Sequence, residues 1–335
     1  MRFPLLERLT VLCLSTYCGC SLLVQTEGLV GNAVPAPPDS PIDGGPLDAA
    51  RPDASAASWR VGASGTTVNL YAVRTTSDGN TYASGSSGVL LRSSSQRRTW
   101  QRVDLDTVAT LTAMTESADH CLLVATDDQR VFRVPLGDGP VSTVALPATM
   151  FGLWTNGAGR VYGVGTALRI EVSEDDGRTF ANFQPFGNSN TFNGISGIGE
   201  RVFIAGNGGR LTSSTAPTAF ALLDAGTTKN LFGIFARTEN DVVVVGSGLI
   251  LRWDGETASS VALPSLPDPV TFRAVHAAAT GPFVAVSEAG QIVTIDGERA
   301  VFEPEITRAS LRGVWVDPGG TMIVVGGAGT ILVKD

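Results

Sequence analysis

Beyond residue 58 the hydrophobic positions fall in short runs separated by polar, glycine-rich turns, and the runs repeat. The clearest repeat is a large apolar residue, a variable residue, Ala or Gly, and then an aliphatic. It appears as LYAV at Leu70, LTAM at Leu111, MFGL at Met150 and FNGI at Phe192. It returns as LFGI at Leu231, FRAV at Phe272 and LRGV at Leu311, at intervals of 39 to 42 residues. A near-constant period of this length marks a repeat architecture. After each signature come a polar turn, a second apolar run such as VYGVG, VFIAG or VVVVG, and a third such as VLLR, LILR or TILV. Where a fourth run is visible it opens on an aromatic, as in TWQRV, TFANF and AFALL. The runs are too short, and too rich in Gly and β-branched residues, for the 3.6-residue periodicity of helical repeats.

The pattern predicts an all-β fold: a seven-bladed β-propeller of four-stranded antiparallel blades. The Ala or Gly of each signature falls on the innermost strand, where a bulky side chain would crowd neighbouring blades. The last repeat stops after its third run, TILVKD, while an orphan fourth run, SWRV, precedes the first signature. Trp59 stands 11 residues before Leu70, as Trp100 does before Leu111 and Phe220 before Leu231. The N-terminal strand is therefore predicted to complete the last blade and close the ring, leaving no exposed edge at the seam.

The chain ahead of the propeller, assigned to residues 59–335, reads differently. Residues 1–20 carry Arg2 and Arg8 around a short apolar stretch, the layout of an export signal. Their end, YCGC, resembles the lipobox of bacterial lipoproteins, with Gly19 before Cys20, although Tyr17 stands where an aliphatic is usual. The resemblance implies lipidation at Cys20 and an outer-membrane or cell-surface location; a plain secretory signal that leaves Cys20 as a free thiol is the alternative. Residues 21–58, rich in Pro, Ala, Asp and Gly toward their end, lack the apolar content to fold and are expected to be a disordered linker.

Composition narrows the function. A 43% hydrophobic content suffices for a sizeable core, and the net charge of −8 without a basic patch argues against nucleic acid. Only Cys121 lies beyond the N-terminal segment, so packing rather than disulfides must stabilise the fold. His120 and His276 are not in metal-ligand spacing, and neither a cofactor nor a metal is expected. His276 shares its repeat position with Trp154, Phe235 and Trp315, which points to packing between blades. VVGGAGTI at Val324 has the glycines of a phosphate loop, but no helix is predicted after it to supply the amides.

SEDDGRTF, from Ser173, resembles the Asp-box of neuraminidase-type repeats: Ser173, Asp175, Gly177 and Thr179 match, and Phe180 replaces Trp. SSSQRRTW from Ser93 is an eroded copy. The whole repeat region is also similar to the propellers of photosystem II assembly factors. The resemblance implies a structural turn between third and fourth strands, so that Asp175 and Asp176 are turn residues rather than catalysts. FRVP, Phe132 to Pro135, resembles the motif that carries a substrate-binding Arg in sialidases. Arg133, however, recurs in place as Arg92, Arg169 and Arg252, which reads as a solvated strand position.

The expectation is thus a monomeric, envelope-tethered propeller that binds protein or glycan without catalysis. The alternative is a sialidase-like glycoside hydrolase or a lyase with its site at the propeller mouth. The expected binding face gathers the second-to-third-strand turns and the links between blades: Asp127, Asp128, Asn190, Asn207, Lys229, Asn230 and Glu288. A solvated turn is the first reading of Asp127–Asp128, and a weak cation site the second.

Overall fold

In the computed structural model, residues 58–187, 189–264 and 270–335 are described. The export signal, Cys20 and the linker up to residue 57 lie outside them. Seven four-stranded antiparallel sheets form the blades of a ring. Strands a to d run from the axis outward, and all seven signatures open a strand a. Blade 1, for example, is Leu70–Thr75, Thr81–Gly85, Leu90–Ser93 and Gln101–Val103. Antiparallel alternation puts the start of each strand a, the b–c turns and the links between blades on one face, here the upper. The a–b and c–d turns lie on the lower face.

Strand b is buried along its whole length in blades 1, 2, 3 and 6. Each blade is sandwiched between two others, so both faces of a central strand meet apolar neighbours, and continuous apolar runs replace in-out alternation. The core is accordingly divided. Seven clusters of buried hydrophobic residues form, each drawn from two adjacent blades. The signature's first residues, Leu70, Leu111, Met150, Phe192, Leu231, Phe272 and Leu311, are all at most 1% exposed.

The ring closes through the N-terminal strand Arg60–Val61, which pairs antiparallel with Ile331–Lys334: Arg60 opposes Val333 and Val61 opposes Leu332. Gly62 N–H extends the ladder to Ile331 O at 2.8 Å. Trp59 packs on the cluster between blades 6 and 7. The segment Val324–Ile331 forms a 3-10 turn, Gly327–Gly329, followed directly by a strand. No helix among the described residues is long and apolar enough to cross a membrane.

Candidate functional site

Every strand a carries a β-bulge at one place: the register slips between the first and third signature residues in all seven blades. A bulge inserts one residue and re-aims its side chain. The re-aimed residue is the variable second position of the signature. Around the upper mouth this brings together three aromatics (Tyr71, Phe151, Phe232), two short polar residues (Thr112, Asn193) and two arginines (Arg273, Arg312). All but Asn193 line an opening of about 210 Å³. Below them an aliphatic ring that includes Val73, Leu153, Ile195, Ile234, Val275 and Val314 narrows the channel.

The mouth is ordered by stacking. The Arg273 guanidinium lies 4.1 Å from the Phe232 ring centroid and ion-pairs with Glu288 at 2.6 Å. The Arg312 guanidinium lies 5.4 Å from the Tyr71 centroid and makes no ion pair among the described residues. The Nε atoms of both arginines are buried without a partner. Ser86 Oγ donates to Tyr71 Oη at 3.2 Å, and Thr112 Oγ1 to Met150 O at 2.6 Å. Phe151 is 39% exposed, a large apolar side chain left facing solvent. The mouth thus presents rigid aromatic area and two stacked guanidinium groups, one of them without an ion pair among the described residues.

The sequence-selected residues surround this ring but mostly lock its loops. Asn207 accepts Asn193 Nδ2–H at Oδ1 (2.7 Å) and Asn190 Nδ2–H at its carbonyl (3.0 Å). Asn230 Oδ1 accepts the Gly208 amide at 2.9 Å. Asp127 Oδ1 accepts the Thr110 amide at 2.9 Å. Asp128, exposed, accepts hydrogen bonds from Arg130 and Thr126, and Arg130 holds its carboxyl below the usual range. Lys229 is exposed on the rim. Glu288 alone of the selected set bonds to a ring arginine, Arg273. No group of three or more metal-ligating side chains forms among the described residues. The seven bulged residues were missed as a set because they share a position and not a chemistry; the signature's variable column was the available signal.

Ser173–Phe180 folds as the c–d turn of blade 3, on the lower face. Asp175 Oδ1 accepts the Arg178 and Thr179 amides at 3.0 and 2.8 Å, and Asp175 Oδ2 accepts Thr179 Oγ1–H at 2.7 Å. Ser173 Oγ donates to Asp175 Oδ1 at 2.7 Å and accepts the Gly177 amide at 2.8 Å. Gly177 has φ 78°, a left-handed conformation that favours glycine, and a Cβ there would lie 2.9 Å from Leu123 Cδ1. Phe180 packs on the core between blades 2 and 3. Asp176 binds across to blade 2, its Oδ1 accepting the Ala118 amide at 3.0 Å.

Partial burial opposes ionisation of Asp175, but the hydrogen bonds from Thr179, Ser173 and the Arg178 amide outweigh it and lower its pKa from 3.8 to about 2. A folded-state pKa below the unfolded one contributes stability that is present above pH 4 and lost as pH falls toward 2. Asp175→Ala is therefore expected to cost about 1–2 kcal/mol at pH 7. It should also flatten the decline of the thermal midpoint between pH 4 and pH 2. A variant that declines as steeply as the parent would remove the assignment.

Arg133 corrects the sequence reading. It is not solvated: it is 6% exposed, ion-paired to Asp119 at 2.7 Å, and donates to Asp176 O at 2.6 Å. The recurrence did not carry over: Arg92 is exposed, Arg169 and Arg252 are half-buried, and Arg169 precedes its strand, Ile170–Ser173. The Arg133 donors are taken up in joining blades 2 and 3, away from the axis. Cys121, beside it, is a buried free thiol, and burial pushes its pKa up.

Neither a family model nor a curated protein matches the sequence. Solved structures share the fold. A virginiamycin B lyase from Staphylococcus aureus is 14% identical, with a TM-score of 0.73 over 83% of this chain and 100% of that one. YCF48 bound to D1 peptide is 14% identical, with a TM-score of 0.67 over 82% and 96%. The WD40 propeller domain of Doa1 is 14% identical, with a TM-score of 0.69 over 83% and 97%. Proteins of this architecture thus include a lyase, a peptide binder and a WD40 domain.

Proposed function

We propose that this chain is an envelope-tethered binding propeller that seats a segment of a protein partner on the upper mouth. The observation that carries the reading is the ring of bulged residues, in which two arginines stack on aromatics above a narrow channel. Tyr and Arg in a partly desolvated setting are the residue types that dominate protein interfaces. Arg312, without an ion pair among the described residues, favours a partner segment bearing carboxylates. A solved propeller of this fold carries a bound peptide, which agrees with a protein partner. Cys20 would hold the propeller at the membrane through lipid, with residues 21–58 as spacer, and the Ser173–Phe180 turn would serve as an Asp-box staple between blades.

A lyase reading draws on the same arginine pair. Against it, the bulge ring supplies neither a carboxylate nor a histidine as general base, and the adjacent Glu288 is already engaged by Arg273.

The test is a cross-linked pulldown from envelope fractions. Tyr71→Ala combined with Arg312→Ala is expected to reduce the main captured partner by roughly tenfold or more, as loss of interface anchors does. Cys20→Ser should move the protein from the membrane to the soluble fraction. Partners captured equally by the mouth variant would place binding elsewhere. Turnover of fluorogenic glycosides that the mouth variant abolishes would replace the reading with an enzymatic one.

A further inference from the structure

The lower face holds a second, larger concavity on the other side of the aliphatic ring, about 510 Å³ in volume. Its wall is a stack built from consecutive blades. The Arg74 guanidinium lies 5.0 Å from the Trp315 ring centroid, Trp315 lies 4.1 Å from His276, and His276 lies 4.3 Å from Phe235. Blades 1, 7, 6 and 5 contribute in that order, and Ser196 and Trp154 continue the wall through blades 4 and 3.

The polar groups on this wall are mismatched in one direction. His276 Nδ1 accepts the Val316 amide at 3.0 Å, so the neutral ring carries its proton on Nε2, as a donor. Burial, aided by the charge of Arg74, lowers the His276 pKa to about 3, which keeps the ring neutral. Ser196 Oγ accepts the Ala236 amide at 2.9 Å and keeps its own proton to donate. Trp315 Nε1 is already bonded to Asp317 Oδ1 at 2.7 Å, and the other Asp317 oxygen is held by Arg97. Arg74 makes no ion pair among the described residues, and its Nε is buried with no partner. What remains is a guanidinium whose neighbouring carboxylate, Glu116, is bonded to Ser77 and makes no ion pair with it, and neutral donors beside flat apolar rings. A partly desolvated guanidinium with no carboxylate in direct contact is costly, and an anion that reaches it recovers part of that cost.

We propose that this lower cavity binds a small carboxylic acid with a flat apolar body, its carboxylate on Arg74 and its body along the Trp315–His276–Phe235 stack. The volume lies in the range of small-molecule sites, roughly 300–1,000 Å³. Recognition is by charge at one end and ring surface at the other. The site lies on the opposite face from the proposed partner mouth and is independent of it.

The same chemistry is carried by a free aromatic acid and by the C-terminal aromatic residue of a peptide. Calorimetric titration of the full-length chain with 3-phenylpropionate and with neutral 3-phenylpropanamide tests the shared chemistry. The acid is expected to bind at least about tenfold more tightly than the amide, the scale of one charge-assisted contact. Arg74→Gln should lower the acid's affinity to that of the amide and leave the amide's unchanged. Arg312→Gln, in the upper mouth, should alter neither. Equal binding of acid and amide, no binding at millimolar concentration, or an acid advantage that survives Arg74→Gln would overturn the proposal. The comparison on the unaltered chain stands even if the variant does not fold. A tetrapeptide ending in a free-carboxylate Phe separates the sources: tighter binding than 3-phenylpropionate assigns the site to a chain terminus, and weaker binding assigns it to a free acid.

Discussion

Deleting residues 58–66 is expected to lower the thermal midpoint by about 10 °C or more and to open the junction between blades 7 and 1 to protease. The paired strand is only two residues long, Arg60–Val61, but its neighbours carry much of the closure. Trp59 covers the cluster between blades 6 and 7, with Lys334 Nζ 5.8 Å from its ring centroid. Arg60 donates to Arg97 O at 3.0 Å and to Gln96 O at 3.1 Å in blade 1. Gly62 lies so close to Ile331 and Trp100 that a Cβ would stand 3.3 Å from both side chains. Removing the segment uncovers apolar surface around Ile331 and Val333, which are fully buried, and around Trp100. An exposure on the order of 150–200 Å² corresponds to about 4–5 kcal/mol. A domain of this size loses roughly 2–4 °C for each kcal/mol. The checks are a melting curve and limited proteolysis. A deletion variant with an unchanged midpoint and an uncut seam would mean that the ring closes without this strand.

The second large effect is expected at the axis. Gly313→Val should lower stability by about 3 kcal/mol or more, or abolish soluble expression. A Cβ at Gly313 would lie 2.8 Å from Tyr71 O and 2.9 Å from Val325 Cγ2. The first of these atoms is backbone of the adjoining blade, so relief requires moving a whole sheet. Gly233 and Gly194 face the next blade in the same way, at 2.9 Å from Arg273 O and 2.8 Å from Phe232 O. Ala72, Ala113 and Ala274 show the largest side chain that the position accepts in this ring. Gly137→Val is the control: it is exposed, and its added Cβ meets nothing within 4 Å. Chemical denaturation measures both variants, and equal losses would dismiss crowding at the axis as the cause.

The parts of the fold legible in the chain were those that every blade must repeat. The signature's first residue is buried in all seven blades, so its hydrophobicity could not drift. The outer strands were harder to read. Ser142–Ala145, Ala258–Ser260 and Arg299–Phe302 are largely exposed and carry no aromatic at their start, so nothing in them had to look like a strand. The upper mouth was half legible. Glu288 was selected as a turn residue, but its partner Arg273 occupied a column that looked arbitrary. Arg133 was misread because recurrence along a chain reports a residue's place in its own blade and not what the neighbouring blade sets against it.

The sequence by itself determined the number of blades, the order of strands within them and the sharing of the last blade by the two ends of the propeller. Each of these follows from a spacing that local burial enforces on one strand at a time. Only the tertiary structure decided which unlike residues meet. The bulges turned six of the seven variable positions to a common opening, and the ring stacked Arg74 on Trp315 from opposite ends of the propeller. Side chains that touch across blade boundaries are chosen by the closure of the ring, and closure is a property of the whole chain that no single repeat contains.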